Sequence, residues 1–502
     1  MLFNSATFLF AFLPVVIAGY FITLRYMGKV PSQLWLFVAS LVYYGWWNPL
    51  YLVLILGSLL FNYYLGRYLL LKPDRKGLYF GVGANLALLM YFKYTAFLLI
   101  TANQIAGTAI PVPEILLPIG ISFFTFQNIA FLVDCHRKLA APNQSLINFG
   151  LFISFFPQLI AGPIVHHKEM MPQFARPKGF DLNNFAAGLC LLGIGLFKKV
   201  VIADTLDEYA SPLFGYATER DLHIVEAWVA ALCYTFQIYF DFSAYSDMAL
   251  GIGKMFNVRL PVNFFSPYKS LNIIDFWRRW HMTLSRFLRD YLYIPLGGNR
   301  KGRTRRYVNL TITMLLGGLW HGANWTFLVW GGLHGIYLGI NHWWQHAKPL
   351  KLPPLAARLL TFLAVVVAWV FFRAADVSTA LSMVCSMFDV SSLQGQNVYD
   401  AMFSRQSPLR AIFEAHDAVF SWVIIAISFI ICWAMPNSIE IMRKGRPCIG
   451  GVRGMDLAQN FAGRALVWRP SLLWGLSAGA TLSVAIAKVL YEPSQVFLYF
   501  QF

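Results

Sequence analysis

Long apolar stretches alternate with short polar breaks along the whole chain. An α-helix needs about 20 mostly apolar residues to cross the ~30 Å hydrocarbon layer of a bilayer. The longer stretches cover residues 6–24, 31–47, 49–71, 78–101, 114–133, 184–203, 222–252, 323–343, 355–374, 417–435 and 470–490, and two shorter ones cover 147–161 and 307–322. This pattern predicts an all-α polytopic membrane protein with about 11–13 transmembrane or re-entrant helices.

Composition supports the same class. The 502 residues are 58% hydrophobic and only 13% charged, whereas a soluble protein carries about 25% charged residues. The apolar N-terminus lacks a basic region and a small-residue cleavage site, so we expect a retained first helix. The six cysteines form no C-x-x-C pair, which argues against a disulfide framework or a thiolate metal site.

The net charge of +17 lies mainly in the breaks between apolar stretches. Cytoplasmic loops of membrane proteins are enriched in Lys and Arg, so topology and anionic lipid explain this charge better than nucleic-acid binding does. Basic breaks include Arg25, Lys29, Lys72, Arg75, Lys76, Arg137, Lys138, "RKGRTRR" (300–306), Lys348, Lys351 and "RKGRP" (443–447). Placing them inside predicts an N-terminus outside and an outer segment at 375–415.

Within this topology, His321 is expected deep in the bilayer. A helix that leaves the inner face at Arg306 rises ~22 Å before it reaches His321. The chain then returns through "WTFLVWGGLHG", which carries His334. A buried imidazole is a candidate general base near neutral pH, and Gly317, Gly318 and Gly322 would let a substrate approach the backbone. The alternative is a histidine whose nitrogens are merely hydrogen-bonded.

The segment "DFWRRWHMTLSRFLRDYLYIPLGGNR" (275–300) carries too many charges to span lipid. As one helix it would be amphipathic, at the inner surface or along a polar cavity. His281 would lie on the apolar face. Its arginines are candidates for binding a phosphorylated donor, with lipid headgroup contact as the alternative, and they are Arg278, Arg279, Arg286 and Arg289.

Other polar residues within apolar sequence are weaker candidates. Asp241 and Asp247 are costly in a membrane and are therefore functional candidates, or Asp241 forms a structural hydrogen bond, for example to Tyr245. "FFPQLIAGPIVHHKEMMPQF" (155–174) contains three prolines, so we expect a broken segment that covers a cavity. Its adjacent His166 and His167 would diverge on a helix, and no metal site is expected.

The metallopeptidase motif H-E-x-x-H and the P-loop are absent from the sequence. The hydrolase pattern G-x-S-x-G occurs once, at Gly475–Gly479, within the apolar stretch 470–490. From the residues alone, an enzyme with histidines in an intramembrane cavity and a transporter with a histidine proton relay both remain open. A scaffold for an extracytoplasmic transferase is a third interpretation.

The segment 275–300 and "MLLGGLWHGANWTFLVWGGLHG" (314–335) together resemble the bacterial branch of the membrane-bound O-acyltransferases, in particular its alginate O-acetylase-like members. "LPIGISFFTFQNIAFLVD", "FFPQLIAGPI", "VIADTL", "YFDFSAYSDMALGIG", the opening "MLFNSATFLFAFLP" and the closing "FLYFQF" fit the same branch. The resemblance implies a single membrane domain over 1–502 around a central funnel or tunnel. N-terminal helices would occupy 1–140, the catalytic core 141–345 and C-terminal helices 346–502.

The resemblance also implies a function. It is O-acetylation of an exported, alginate-type polysaccharide, with the same chemistry on peptidoglycan or another surface glycan as the alternative. His321 and His281 take the catalytic positions, and the candidate supporting residues are His334, Asp241, Asn324 and Trp320. No tightly bound cofactor is expected, and acetyl-CoA is the expected donor. The expected partners are an SGNH-type acetyltransferase outside the membrane, the polysaccharide and membrane lipids, in a bacterial inner membrane.

Overall fold

Helices form nearly all regular structure in the computed structural model, which describes residues 1–141, 145–347, 352–393, 418–449, 465–492 and 495–498. The helices of the first half are α1 Leu13–Tyr26, α2 Lys29–Gly45, α3 Tyr51–Leu71, α4 Arg75–Ala106, α5 Ile121–His136, α6 Leu146–Ser154, α7 Phe156–Leu159, α8 His167–Ala175, α9 Leu182–Phe197, α10 Asp204–Tyr216 and α11 Ile224–Met255. Those of the second half are α12 Ile273–Arg279, α13 Met282–Leu288, α14 Arg303–His321, α15 Trp325–Ala347, α16 Pro354–Arg373, α17 Val377–Phe388, α18 Ala418–Trp433, α19 Ser438–Ile441 and α20 Leu472–Tyr491.

Wider and tighter turns join several of these helices. π-helical turns cover Thr7–Phe12, Lys198–Ala203 and Arg289–Tyr293, and 3-10 turns cover Pro267–Lys269, Val390–Leu393 and Arg443–Gly445. Two short parallel strands, β1 Leu260–Pro261 and β2 Cys448–Ile449, pair with each other. In the described ranges, six helical stretches are long and apolar enough to cross a membrane. The predicted all-α polytopic class is confirmed.

The centre of the bundle is α11, which is buried along nearly its whole length. It crosses α9 at a point where both backbones lie very close together. A Cβ atom added at Gly188 would lie 2.5 Å from the Gly251 carbonyl oxygen, and one at Gly251 would lie 2.6 Å from the Gly188 carbonyl oxygen. Glycine on both helices therefore makes this crossing possible, as small residues do between membrane helices.

A second close crossing joins α14 to α15. A Cβ atom at Gly318 would overlap the carbonyl oxygen of Phe327, and one at Gly331 would overlap the carbonyl oxygen of Met314. These glycines therefore serve helix packing, and Gly322 lies against the ring of Phe327. The expectation that glycines near His321 open the backbone to a substrate is wrong for Gly318 and Gly322, whose open sides are already filled by α15.

The segment 275–300 is broken rather than one continuous amphipathic helix. α12 ends at Arg279, and His281 takes a left-handed conformation with φ of 42° before α13 begins. A left-handed residue interrupts the i to i−4 hydrogen bonds of a helix. The helical-wheel faces predicted for this segment therefore do not apply across the break, although His281 is buried as expected.

The segment 155–174 is broken as predicted, because α7 ends at Leu159 and α8 begins only at His167.

Some of the predictions fall outside the described residues. These are the part of the predicted outer segment 375–415 that begins at 394, the basic residues Lys348 and Lys351, and residues 499–502. Asp376 caps α17 by accepting a hydrogen bond from the backbone N–H of Thr379 at 2.8 Å. The division of the chain at 140 and 345, and the outward N-terminus, stay predictions.

Replacing Gly331 with Ala should lower the thermal unfolding midpoint of the detergent-purified protein. The added methyl group meets the Met314 backbone, which cannot rotate away, and overpacking of this kind costs about 1–3 kcal/mol. Gly332→Ala is the matched control, because its new Cβ atom would meet only the Leu315 side chain at 3.7 Å. Equal midpoints for the two variants would contradict the close crossing of α14 and α15.

Candidate functional site

Three of the predicted histidines lie together, between the break after α12 and the facing walls of α14 and α15. The ring centroids of His281 and His321 are 6.4 Å apart, and Trp330 lies between His321 and His334 at 5.2 and 4.8 Å. His281 and His334 are fully buried, and His321 is 6% exposed. The sequence-based grouping of His321, His281 and His334 is therefore found in the structure.

His321 is the last residue of α14, and side chains of α4 hold this helix end. The last carbonyl groups of a helix have no partner within the helix. Lys93 Nζ donates to the carbonyl oxygens of Trp320 at 2.6 Å and His321 at 2.9 Å. The hydroxyl of Tyr94 donates to the Leu319 carbonyl oxygen at 2.7 Å. These hydrogen bonds anchor His321 through the backbone at the end of α14.

The neighbours of His281 define its tautomer. Its Nδ1 lies 3.1 Å from Asn263 Oδ1, an oxygen that also accepts hydrogen bonds from the backbone N–H and the hydroxyl of Thr283. Because a backbone N–H only donates, the Asn263 atom is the amide oxygen, and His281 Nδ1 must carry a proton toward it. In the neutral ring Nε2 then has a lone pair, and this buried atom has no hydrogen-bond partner among the described residues.

His334 has the opposite tautomer. The indole N–H of Trp277 donates to His334 Nδ1 at 3.3 Å, and an indole nitrogen only donates. The proton of the neutral ring therefore lies on Nε2, which is buried and also lacks a hydrogen-bond partner within the described residues. His281 thus presents an acceptor nitrogen and His334 presents a donor, so the two rings are chemically distinct.

Asp241 lies close to His321 but is held by a buried cation. Lys199 Nζ contacts Asp241 Oδ1 at 2.7 Å and Asp204 Oδ1 at 2.7 Å, and the backbone N–H of Leu498 donates to Asp241 Oδ2 at 3.0 Å. Its partner is therefore Lys199, not Tyr245 as the sequence suggested. Asp241 and His321 both line a cavity of about 20 Å³, which is room for about one water molecule.

The remaining supporting candidates have structural contacts. The ring of Trp320 lies 5.0 Å from that of His321 and 5.9 Å from that of His281, so it lines the group of histidines. Asn324 instead joins two chain segments: its side chain donates to the Ala375 carbonyl oxygen and accepts from the Thr326 backbone N–H. Asp247 forms an ion pair with Lys198 at 2.9 Å. These contacts make Asn324 and Asp247 anchors of the fold.

A cavity of about 1110 Å³ lies beside the broken segment, at the end of α14 that carries its arginines. All four predicted donor-binding arginines line it, together with Arg306 and Trp277. Three of the four have carboxylate partners within 2.6 to 2.9 Å: Arg279 with Asp275, Arg286 with Glu169 and Arg289 with Asp290. Arg278 is exposed and forms no ion pair with any described residue, so it is the arginine best placed to bind an anion.

The aromatic residue Trp277 links this cavity to the histidines. It lines the cavity and also donates to His334, and its ring lies 5.8 Å from that of Trp330, which in turn contacts His321. His321 lines the separate small cavity. The histidines therefore lie in an aromatic wall between a large arginine-lined cavity and a small cavity at Asp241.

Comparison with known proteins identifies this architecture. The sequence matches the membrane-bound O-acyltransferase family over residues 10–384. The chain belongs to this family. It is 46% identical to a peptidoglycan O-acetyltransferase of Helicobacter pylori over 428 residues, covering 78% of this chain and 81% of that protein.

Further relatives of this O-acyltransferase support its membership of the family. A probable alginate O-acetylase of Pseudomonas putida is 43% identical over 404 residues, covering 78% of this chain and 81% of that protein. One of Azotobacter vinelandii is 36% identical over 516 residues, covering all of both chains. The predicted family and the acyltransferase class are thereby confirmed, and the transporter and scaffold interpretations lose their support.

The sequence analysis did not identify several residues of the O-acyltransferase site. Lys93 is a cation within the apolar stretch 78–101 and could have been singled out by its cost in lipid. Asn263 and Trp277 carried no such signal, because their role depends on the break at His281, which brings the chain back on itself. The roles assigned to individual residues by resemblance stay predictions.

Replacing Lys93 with Met should reduce acyl transfer by about 10- to 100-fold while protein abundance is kept, since displacement of a reacting group by ~1 Å has effects of that size. The uncharged side chain cannot hold the carbonyl groups of Trp320 and His321. Initial rates with saturating donor measure the effect, and Lys76→Met, an exposed lysine at the start of the same helix, is the control. Wild-type rates in Lys93→Met would contradict the anchoring role.

Proposed function

We propose that this O-acyltransferase moves an acetyl group from a cytoplasmic thioester donor to a hydroxyl group of a glycan outside the inner membrane. The observation that carries the proposal is the position of His321. It lines a small cavity and is joined to the arginine-lined cavity through Trp330 and Trp277. Only the acetyl group, and not the donor, would need to cross the aromatic wall.

The donor side is proposed from charge. The large cavity borders the basic segment 300–306, and cytoplasmic segments are enriched in Lys and Arg. Its volume of about 1110 Å³ is ample for a nucleotide-sized thioester. Acetyl-CoA is the proposed donor, since Arg278 offers an unpaired guanidinium to its phosphates. This orientation puts the N-terminus of the chain outside a bacterial inner membrane.

The transfer step is acyl exchange at the wall. The acceptor oxygen forms a new C–O bond to the acetyl carbon, the C–S bond of the thioester breaks, and the sulfur leaves as a thiol. His321 takes the proton from the attacking hydroxyl and supplies one to the leaving sulfur. His281 Nε2 assists as a second hydrogen-bond acceptor, and the N–H of His334 Nε2 supports developing negative charge.

The acceptor is proposed from the relatives, which are named for alginate and for peptidoglycan. Both polymers carry hydroxyl groups outside the inner membrane, so the same site chemistry serves either one. An alginate-type exopolysaccharide is the first proposed acceptor. Peptidoglycan is the second, and the 46% identity to the Helicobacter pylori peptidoglycan O-acetyltransferase supports it. An SGNH-type partner outside the membrane is proposed to complete the transfer to the polymer.

Replacing His321 with Ala should abolish O-acetylation, because no other proposed base lies at the wall position, with protein abundance unchanged. Acetate released by mild alkali is measured separately from exopolysaccharide and from purified peptidoglycan of a deletion strain that carries each variant. His346→Ala, an exposed histidine on α15, is the control. Acetate at the wild-type level in His321→Ala would refute the assignment, and the polymer that loses acetate identifies the acceptor.

Replacing Arg278 with Ala should raise KM for acetyl-CoA with little change in kcat. A hydrogen bond to a charged group contributes about 1.5–3 kcal/mol, which corresponds to roughly 10- to 100-fold. Initial rates over a range of donor concentrations separate the two constants. Arg303→Ala, an exposed arginine outside the cavity lining, should leave both constants unchanged. An unchanged KM for Arg278→Ala would contradict donor binding at this arginine.

A further inference from the structure

We infer that Asp134, His166, His167 and Tyr291 form a binding site for one divalent transition-metal ion, with Zn²⁺ as the occupant. The first three offer ligand atoms that all lie within 4.8 Å of one another. The proposed acyl transfer does not use these four residues. From the sequence, no metal site was expected at these histidines.

That expectation placed both histidines on one helix, where adjacent side chains diverge. In the structure His166 precedes α8 in an extended conformation, with φ of −111° and ψ of 138°, and only His167 is helical. The two rings consequently lie side by side, with centroids 4.4 Å apart. The change of backbone conformation between the two residues turns a diverging pair into a converging one.

The side-chain hydrogen bonds of Asp134 converge on a single oxygen atom. Asp134 Oδ2 lies 2.9 Å from His166 Nε2, 3.0 Å from His167 Nε2 and 3.1 Å from the hydroxyl of Tyr291. The Tyr291 hydroxyl also lies 2.9 Å from His166 Nε2. Four ligand-type atoms from three chain segments are therefore gathered around the Asp134 oxygen.

These distances suit a small ion after a slight expansion. Ligands at ~2.0–2.1 Å from a tetrahedral Zn²⁺ lie about 3.3 Å from each other, a few tenths of an ångström beyond the four distances given above, and the ligand atoms of Asp134, His166 and His167 all lie within 4.8 Å of one another. Two imidazoles and one carboxylate are a common ligand set for zinc, with the fourth position taken by water or another oxygen. The hydroxyl of Tyr291 is placed to fill that position or to bind the water in it.

Zn²⁺ binding would change the position of the proton on the His166 ring. Its Nδ1 accepts a hydrogen bond from the Lys168 backbone N–H at 3.2 Å, so the proton of the neutral ring lies on Nε2. Coordination through Nε2 moves this proton to Nδ1 and ends the Lys168 contact, which lies at the protein surface and is replaced there by water. Metal uptake therefore becomes weaker as pH falls, because protons compete for the imidazole nitrogens.

A metal here would join three segments beside the large cavity. Asp134 lies near the end of α5, the histidines begin α8, and Tyr291 lies in the π-helical turn Arg289–Tyr293. Two residues after His167, Glu169 forms a bidentate pair with Arg286 and lines the cavity. The ion would thus fasten the cavity wall without touching the histidines of the transfer site.

The test is the metal content of the full chain, purified in detergent through a histidine-free tag. After dialysis against Zn²⁺ and removal of free ion, elemental analysis should find about one Zn²⁺ per wild-type chain and less than about a fifth of that in His167→Ala and Asp134→Asn. His136→Ala, a half-buried histidine two residues from Asp134 and outside the cluster, should keep the wild-type content. The same result with Fe²⁺ and not Zn²⁺ would overturn the choice of ion.

The shift of the thermal unfolding midpoint on adding Zn²⁺ is a second measurement, which still tests the site if one of the variants folds poorly. Zn²⁺ should raise the unfolding midpoint of the wild type and of His136→Ala, because an ion that binds only the folded state stabilises it. It should not raise that of His166→Gln, a substitution at the more exposed of the two histidines. No bound Zn²⁺ and no midpoint shift in the wild type would overturn the inference and leave a hydrogen-bonded cluster.

Discussion

The close crossing of α14 and α15 is the contact on which the site depends. Gly318 and Gly331 bring the two backbones together, so His321 at the end of one helix and His334 within the other share one aromatic wall. Any larger residue at these positions would separate the helices and widen the wall. In a bilayer, where lipid is as apolar as the helix surface, close backbone contact is a main source of helix association.

Specific polar partners around the histidines give the site its chemistry. Asn263 and Trp277 assign opposite tautomers to His281 and His334, while Lys199 pairs with both Asp241 and Asp204. A buried charge is costly unless it is paired, which explains why Asp241 is an anchor beside the site. The Nε2 atoms of His281 and His334 have no hydrogen-bond partner among the described residues, which leaves one acceptor and one donor at the wall for the proposed transfer.

Apolar length and basic breaks predicted the helical class, most helix positions and a continuous helix that ends at His321, because these depend on local sequence. The left-handed turn at His281 and the extended His166 were not predictable in this way. Both arise where a helix is interrupted, and periodicity assumes that the helix continues. The glycines near His321 were recognised but misinterpreted, since sequence does not tell whether a gap is filled by a substrate or by the next helix.

In the proposed transfer, the acetyl group crosses the wall at His321 while the donor stays on its own side. Proteoliposomes with the arginine-lined cavity facing outward, acceptor glycan enclosed and labelled acetyl-CoA added outside test this directly. If an SGNH-type partner is required, it is enclosed with the glycan. We expect labelled ester on the enclosed glycan, all of the CoA recovered outside, and no labelled ester with His321→Ala. Label on the enclosed glycan at equal rates in both proteins, or CoA recovered inside the vesicles, would contradict the proposed transfer.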